Sequence, residues 1–208
     1  MGLKRTIDAA TEPVSLVEAK AHLRVTSATD DTLIGTLITT ARQLCEQYTG
    51  IAFISQTWEF NLDRFPSTQG NDADWFDGTR EGLISQVDCQ KRYIDIPIAP
   101  LIAIGSLKTY NDAGTEATMD AAGYIVDIRR TPGRMTLATG AIWPVDLRPA
   151  NAILITFTAG YANAGAVPAL LKHGVLVALS HLYENRTAPP VLPEGAMQIL
   201  APFKVIIL

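Results

Sequence analysis

The chain has 208 residues, a formal net charge of −4 at pH 7, 48% hydrophobic residues and 18% charged residues. That balance can bury a real core and excludes a disordered chain. The acidic excess, with a sequence pI near 5.3, excludes a broad basic surface that holds nucleic acid, because such binding comes mainly from Lys and Arg releasing counterions from phosphates.

Taken in chain order, residues 1–15 lack the apolar core of a signal peptide, and no stretch reaches the roughly 20 apolar residues of a membrane span. A cytoplasmic, soluble protein without a membrane partner is expected. Ser15 with Glu18 three positions on forms a capping box, which predicts a short helix to about Leu23. Asp30 and Asp31 open a second helix, with Leu33, Ile34, Leu37, Ile38, Ala41, Leu44, Cys45 and Tyr48 on one stripe and a stop at Thr49–Gly50. The period then changes: Trp58, Phe60 and Leu62 alternate with polar residues, as in a strand with one buried face.

Residues 67–90 are polar and without period, and are expected to form a long exposed loop or contact arm. Strands are predicted at 93–96, 101–110, 124–128, 134–138 and 152–158, with Asn111 to Gly114 as a hairpin turn, giving an antiparallel sheet or small barrel that ends near Gly160. Gly160 to Gly165 reads as a flexible junction. Val167–Pro168 returns the chain to helix as far as about Arg186, with Leu170, Leu171, Gly174, Val175, Ala178, Leu179, Leu182 and Tyr183 on its apolar face. A last short helix, 194–200, precedes an extended apolar tail. The expected fold class is therefore α+β: a small helical bundle built from N- and C-terminal helices (1–53 and 163–200) around an inserted antiparallel β module (54–162), with a tail at 201–208.

Reactive constellations are sparse. His22, His173 and His181 fit no zinc spacing, although His173 and His181 lie two turns apart on one predicted helix. Asp72, Asp74 and Asp77 depart from a calcium loop, with the third acid one position late and no bidentate glutamate. Nucleophile-elbow, phosphate-loop and dinucleotide-binding motifs do not occur. Cys45 and Cys89 form no pair motif and are read as free thiols. No enzyme, metal or cofactor is expected. Asp30 and Asp31 are explained as acids at a helix start, and Arg129, Arg130 and Arg134 as a solvated rim or a seat for phosphate or carboxylate.

The ordered series Pro13-Val14-Ser15-Leu16-Val17-Glu18-Ala19-Lys20, Leu23-Arg24-Val25, Asp30-Asp31, Gln56-Thr57-Trp58, Leu62-Asp63, Phe65-Pro66, Ile96-Pro97, Pro100-Leu101, Phe157-Thr158-Ala159-Gly160-Tyr161, Val167-Pro168, Leu171-Lys172 and Tyr183-Glu184-Asn185-Arg186 resembles the phage head-tail connector (adaptor) proteins. The likeness is to the longer members with a β insertion, found in tailed phages and gene transfer agents, although residues 67–90 look longer than the usual link. The resemblance implies a structural virion protein at the head-tail junction, assembled in the host cytoplasm. It implies a homo-oligomeric ring, by family habit a dodecamer, between the portal protein and a tail-side stopper or tail terminator protein, with DNA passing only transiently through the lumen. It also implies that Phe203, Lys204, Val205, Ile206, Ile207 and Leu208 bind the portal. Their β-prone character suits addition as a strand to a partner sheet, or folding back on the bundle. Two other readings stand beside this one: a ligand- or peptide-binding module using Trp75 and Phe76, and an enzyme with a site around Trp143, Asp146 and Arg148.

Overall fold

Helix formation starts where the capping box places it. In the computed structural model, which describes residues 2–66 and 93–205, the Ser15 side chain accepts from the Glu18 N–H. Glu18 Oε2 in turn accepts from the Ser15 N–H at 2.8 Å, opening α1 (Leu16–Leu23). Helix α2 (Asp31–Thr49) follows and ends on Gly50 in the left-handed region. Its predicted stripe is the packed one, with Ile34, Ile38, Ala41 and Cys45 buried and Leu37, Leu44 and Tyr48 partly so. Asp30, expected to cap this helix, makes no capping bond. Its carboxylate accepts instead from the Tyr183 hydroxyl at 2.7 Å and from Arg186 at 3.1 Å, tying the start of α2 to the end of the last long helix.

That partner is α3 (Ala169–Glu184), which ends two residues before the expected Arg186 and leaves Leu170 of its predicted face 53% exposed. Helix α4 (Glu194–Leu200) lies against it. A Cβ at Gly174 would come within 2.7 Å of Leu200 Cδ2, so the absence of a side chain there lets α3 and α4 approach. Leu171, Val175, Ala178, Leu179, Ala196 and Leu200 complete a helical core with the α2 stripe.

Strands form a second core. β1 (Gly2–Ile7), β2 (Gln56–Leu62), β8 (Ile153–Ala159), β4 (Leu101–Tyr110) and β5 (Glu116–Thr118) make an antiparallel sheet in that spatial order. β3 (Tyr93–Asp95), β7 (Arg134–Leu137) and β6 (Tyr124–Asp127) make a smaller one. β8 is central and alternates, burying Ile153, Ile155, Phe157 and Ala159 against Phe60, Leu107 and Met135. Residues 2–7, assigned from the sequence to the helical part, form the edge strand β1, with Leu3 opposite Phe60 and Arg5 opposite Trp58. The reason is antiparallel pairing with β2, a long-range partner that local patterning does not reveal.

The two cores join at a tight crossing. Ala52 N–H donates to Ala99 O at 2.8 Å, Ser55 N–H to Tyr161 O at 2.8 Å and Gly160 N–H to Pro100 O at 2.9 Å. Gly160 has φ +123°, and a Cβ there would lie 2.3 Å from Ile54 O, so glycine is required where strand leaves for helix. The stretch expected as a flexible junction is thereby bonded, and Asn163 caps a 3-10 turn at Ala164–Ala166.

Candidate interaction site

Beyond α4, a 3-10 turn at Ala201–Phe203 redirects the chain toward the end of α2. Phe203 and Val205 pack on the helical core, the Lys204 ammonium sits 5.0 Å from the centre of the Tyr48 ring, and the Val205 N–H donates to Thr49 O at 2.8 Å. The first half of the expected portal-binding segment is therefore anchored to its own subunit. Ile206, Ile207 and Leu208 lie outside the described residues. The anchor places the departing chain beside Gly50, where a Cβ would be 3.4 Å from Val205 Cβ.

Gly50 is on the rim of a cleft of about 400 Å³ between β1, the end of α2 and the start of β2. Its apolar lining is Leu3, Ile51, Ala52, Trp58 and Ile98, with Arg5 and Glu46 among its polar groups. Those charges are committed elsewhere. Arg5 pairs with Asp8 at 3.1 Å and Glu46 at 3.7 Å and lies 5.7 Å from the Trp58 ring centre. Glu46 accepts from Arg42 at 2.9 Å, from the Phe53 N–H at 2.9 Å and from Gln56 Nε2 at 2.7 Å.

Arg42 is the centre of this network, 1% exposed and bonded to Glu12 at 2.8 Å, Glu46 at 2.9 Å and Asp8 at 3.2 Å. Burial works against its charge, yet Glu46, Glu12 and Asp8 outweigh it and hold its pKa above the ordinary value. Burial raises the Glu46 pKa, and the opposing pull of Arg42 and its hydrogen bonds does not restore it. Asp8 is lowered despite partial burial, through the Ala9 N–H and the two arginines. The arrangement is a structural clasp holding β1 and the segment after it onto α2 and β2. Sequence reasoning missed it, although Arg42 and Glu46 sit four apart on the face already marked by Ile38, Ala41 and Cys45.

Other sequence candidates separate in space or are held by neighbours. Trp143 is buried and stacked on Phe65 with ring centres 4.2 Å apart. Asp146 is exposed, and Arg148 is bonded to Asn151 O at 2.6 Å and lies over the Tyr110 ring. Arg134 pairs with Asp127 at 3.1 Å, and Arg130 and Arg134 both lie over the Tyr93 ring. His173 meets His22, edge to face at 6.4 Å between ring centres, while the His181 ring lies beside Asn185. Among the described residues there is no group of three or more potential metal ligands, and no helix long and apolar enough to cross a membrane. Cys45 is buried, which pushes its thiol pKa up to about 12, aided by Glu46. Cys89, Trp75, Phe76, Asp72, Asp74, Asp77 and the whole of 67–90 fall outside the described residues.

These features define an α+β protein whose helical bundle carries an anchored C-terminal segment. Residues 13–87 match the family model described as phage gp6-like head-tail connector protein. No curated protein matches. Among solved structures, a chain from the neck of an empty GTA particle, computed with C6 symmetry, has a TM-score of 0.73 and 23% identity, covering 100% of this chain and 97% of that one. A chain from the virion of a native gene transfer agent particle has a TM-score of 0.72 and 22% identity. A third, from the neck of a native GTA particle computed with C12 symmetry, has 0.71 and 21%. Both cover the same shares, 100% of this chain and 97% of theirs. At such identities the structural likeness establishes the fold.

Proposed function

We propose that the chain is a structural virion protein of the head-tail junction, a connector that forms a ring and joins the head to tail-side proteins rather than catalysing a reaction. The observation carrying this reading is the whole-chain correspondence of fold with neck subunits, with the connector-family match across the first two helices and beyond. The C6 and C12 symmetries of those necks favour a homo-oligomeric ring, and twelve subunits is the proposed number. The partners proposed are the portal protein on the head side and a stopper or tail terminator protein on the other. DNA passes through the lumen without being held, in keeping with a net charge of −4.

Portal binding is assigned to Phe203 to Leu208, with the anchored residues setting direction and the apolar end making the contact. Co-sedimentation with purified portal rings tests this, comparing the full chain with one truncated after Leu200. Binding by the full chain alone is the expected result. Binding by both keeps the connector role and moves the anchor to the body, while binding by neither overturns the reading.

A further inference from the structure

We infer that the cleft between β1 and the end of α2 is a binding site for an apolar chain segment, and that its occupant in the free subunit is the chain's own Ile206 to Leu208. Three features of the molecule lead there. Val205 is fixed by its N–H bond to Thr49 O and by contact with Gly50, which lines the cleft. From that point three residues reach about 10 Å in extended form, at roughly 3.3 Å each. The occupant therefore begins at the cleft's rim and needs no long linker.

The chemistry of the two parts matches as well. Leu3, Ile51, Ala52, Trp58 and Ile98 provide an apolar lining. Arg5 and Glu46 are paired within the subunit, leaving no uncommitted charge between them to recognise a charged ligand. Ile206, Ile207 and Leu208 carry no charged side chain, so burial of those side chains in the cleft removes apolar surface from water. The volume of about 400 Å³ falls within the range of roughly 300–1,000 Å³ for binding clefts. β1 is also an edge strand, and an apolar residue such as Leu3, 42% exposed there, gains cover from such an occupant.

This inference deepens the proposed portal contact, because the segment assigned to the portal is then stored on its own subunit until the portal competes for it. Methyl NMR on the full chain at low concentration provides the test. Cross-peaks between Ile207 methyls and Ile51 or the Trp58 ring, unchanged on dilution, are expected. Ile207→Asp should abolish them and shift the Leu3 and Ile51 methyls while leaving Ile153, in the other core, in place. Leu3→Glu, at an exposed position, should have the same effect with the segment's sequence intact.

Absence of the cross-peaks in the wild-type chain overturns the inference. Cross-peaks that weaken on dilution, or that appear between labelled and unlabelled subunits, overturn the intramolecular form and assign the cleft to a neighbour's segment. Portal co-sedimentation separates the two readings. Leu3→Glu leaves the portal segment untouched and should bind portal at least as well as wild type, whereas failure of the wild-type chain to bind would remove the portal reading and leave the NMR result standing.

Discussion

A guanidinium that is 1% exposed and faces three carboxylates is the residue on which the junction between the two cores depends. Deleting one member of a buried ionic group leaves its partners charged in a poor solvent. Arg42→Ala is therefore expected to destabilise the chain by about 3–5 kcal/mol, read as a lower urea midpoint with an unchanged slope. Replacing Arg42 and Glu46 together by Met and Leu should recover only part of that loss, because it removes the buried Arg–Glu charges but leaves the Phe53 N–H and Gln56 Nε2 without their acceptor. The acids also give a pH test. Glu18 is held below its ordinary 4.5 first by the Ser15 N–H and then by its hydroxyl. The unfolded chain consequently binds that proton more readily, so the capping contribution is full above about pH 4.5 and is lost as pH falls through the depressed value. Glu46, raised above 4.5 chiefly by burial, has the opposite sign: its contribution is full below 4.5 and is lost as pH rises through the folded value. Carboxyl NMR titration should show Glu18 displaced downward and Glu46 upward, and a Glu46 displaced downward as well would mean that Arg42 and the hydrogen bonds outweigh burial at that carboxyl.

Elements meet in this fold at two glycines. At Gly160 the backbone turns from β8 toward α3 at φ +123°, with Ile54 O where a Cβ would stand. Gly160→Ala combines backbone strain with a clash against main chain, and should cost about 3 kcal/mol or more. At Gly174 the neighbour is instead the tip of Leu200, a side chain that is fully buried. Gly174→Val should cost a smaller amount, about 1–3 kcal/mol, and the loss should be local. Hydrogen exchange is expected to quicken in α4 while β8 keeps its protection. Equal quickening in both elements would mean that α4 and the sheet open as one unit. The helices were legible because their signals are local, as with the Ser15–Glu18 box and the Ile34, Ile38, Ala41, Cys45 stripe. β1 was not, because Gly2–Ile7 is exposed at nearly every position and is a strand only by virtue of β2.

For the molecule as a whole, the order helices, strands, helices specified the α+β class, because a chain that leaves a bundle and returns to it must insert whatever lies between. The cleft was not legible. Leu3, Ile51, Trp58 and Ile98 come from four separate stretches and converge only once β1 pairs with β2 and Ile51 bridges Ala99. The same geometry decides how the C-terminal segment should be cut. Truncation after Leu200 removes Phe203 and Val205, which pack on the helical core, and the Lys204 contact with Tyr48. It therefore mixes loss of a contact surface with loss of stability. Truncation after Val205 retains all three contacts and the bond to Thr49. If Ile206 to Leu208 carry the portal contact, the shorter truncation should abolish co-sedimentation with portal rings while its melting temperature falls less than that of the longer one. Retained binding after the shorter cut, with loss only after the longer, would move the contact to Phe203, Lys204 and Val205. Those residues would then have to leave Tyr48 and Thr49 to reach the portal, and Val205→Pro, which removes the N–H donated to Thr49, should strengthen binding by lowering the cost of release.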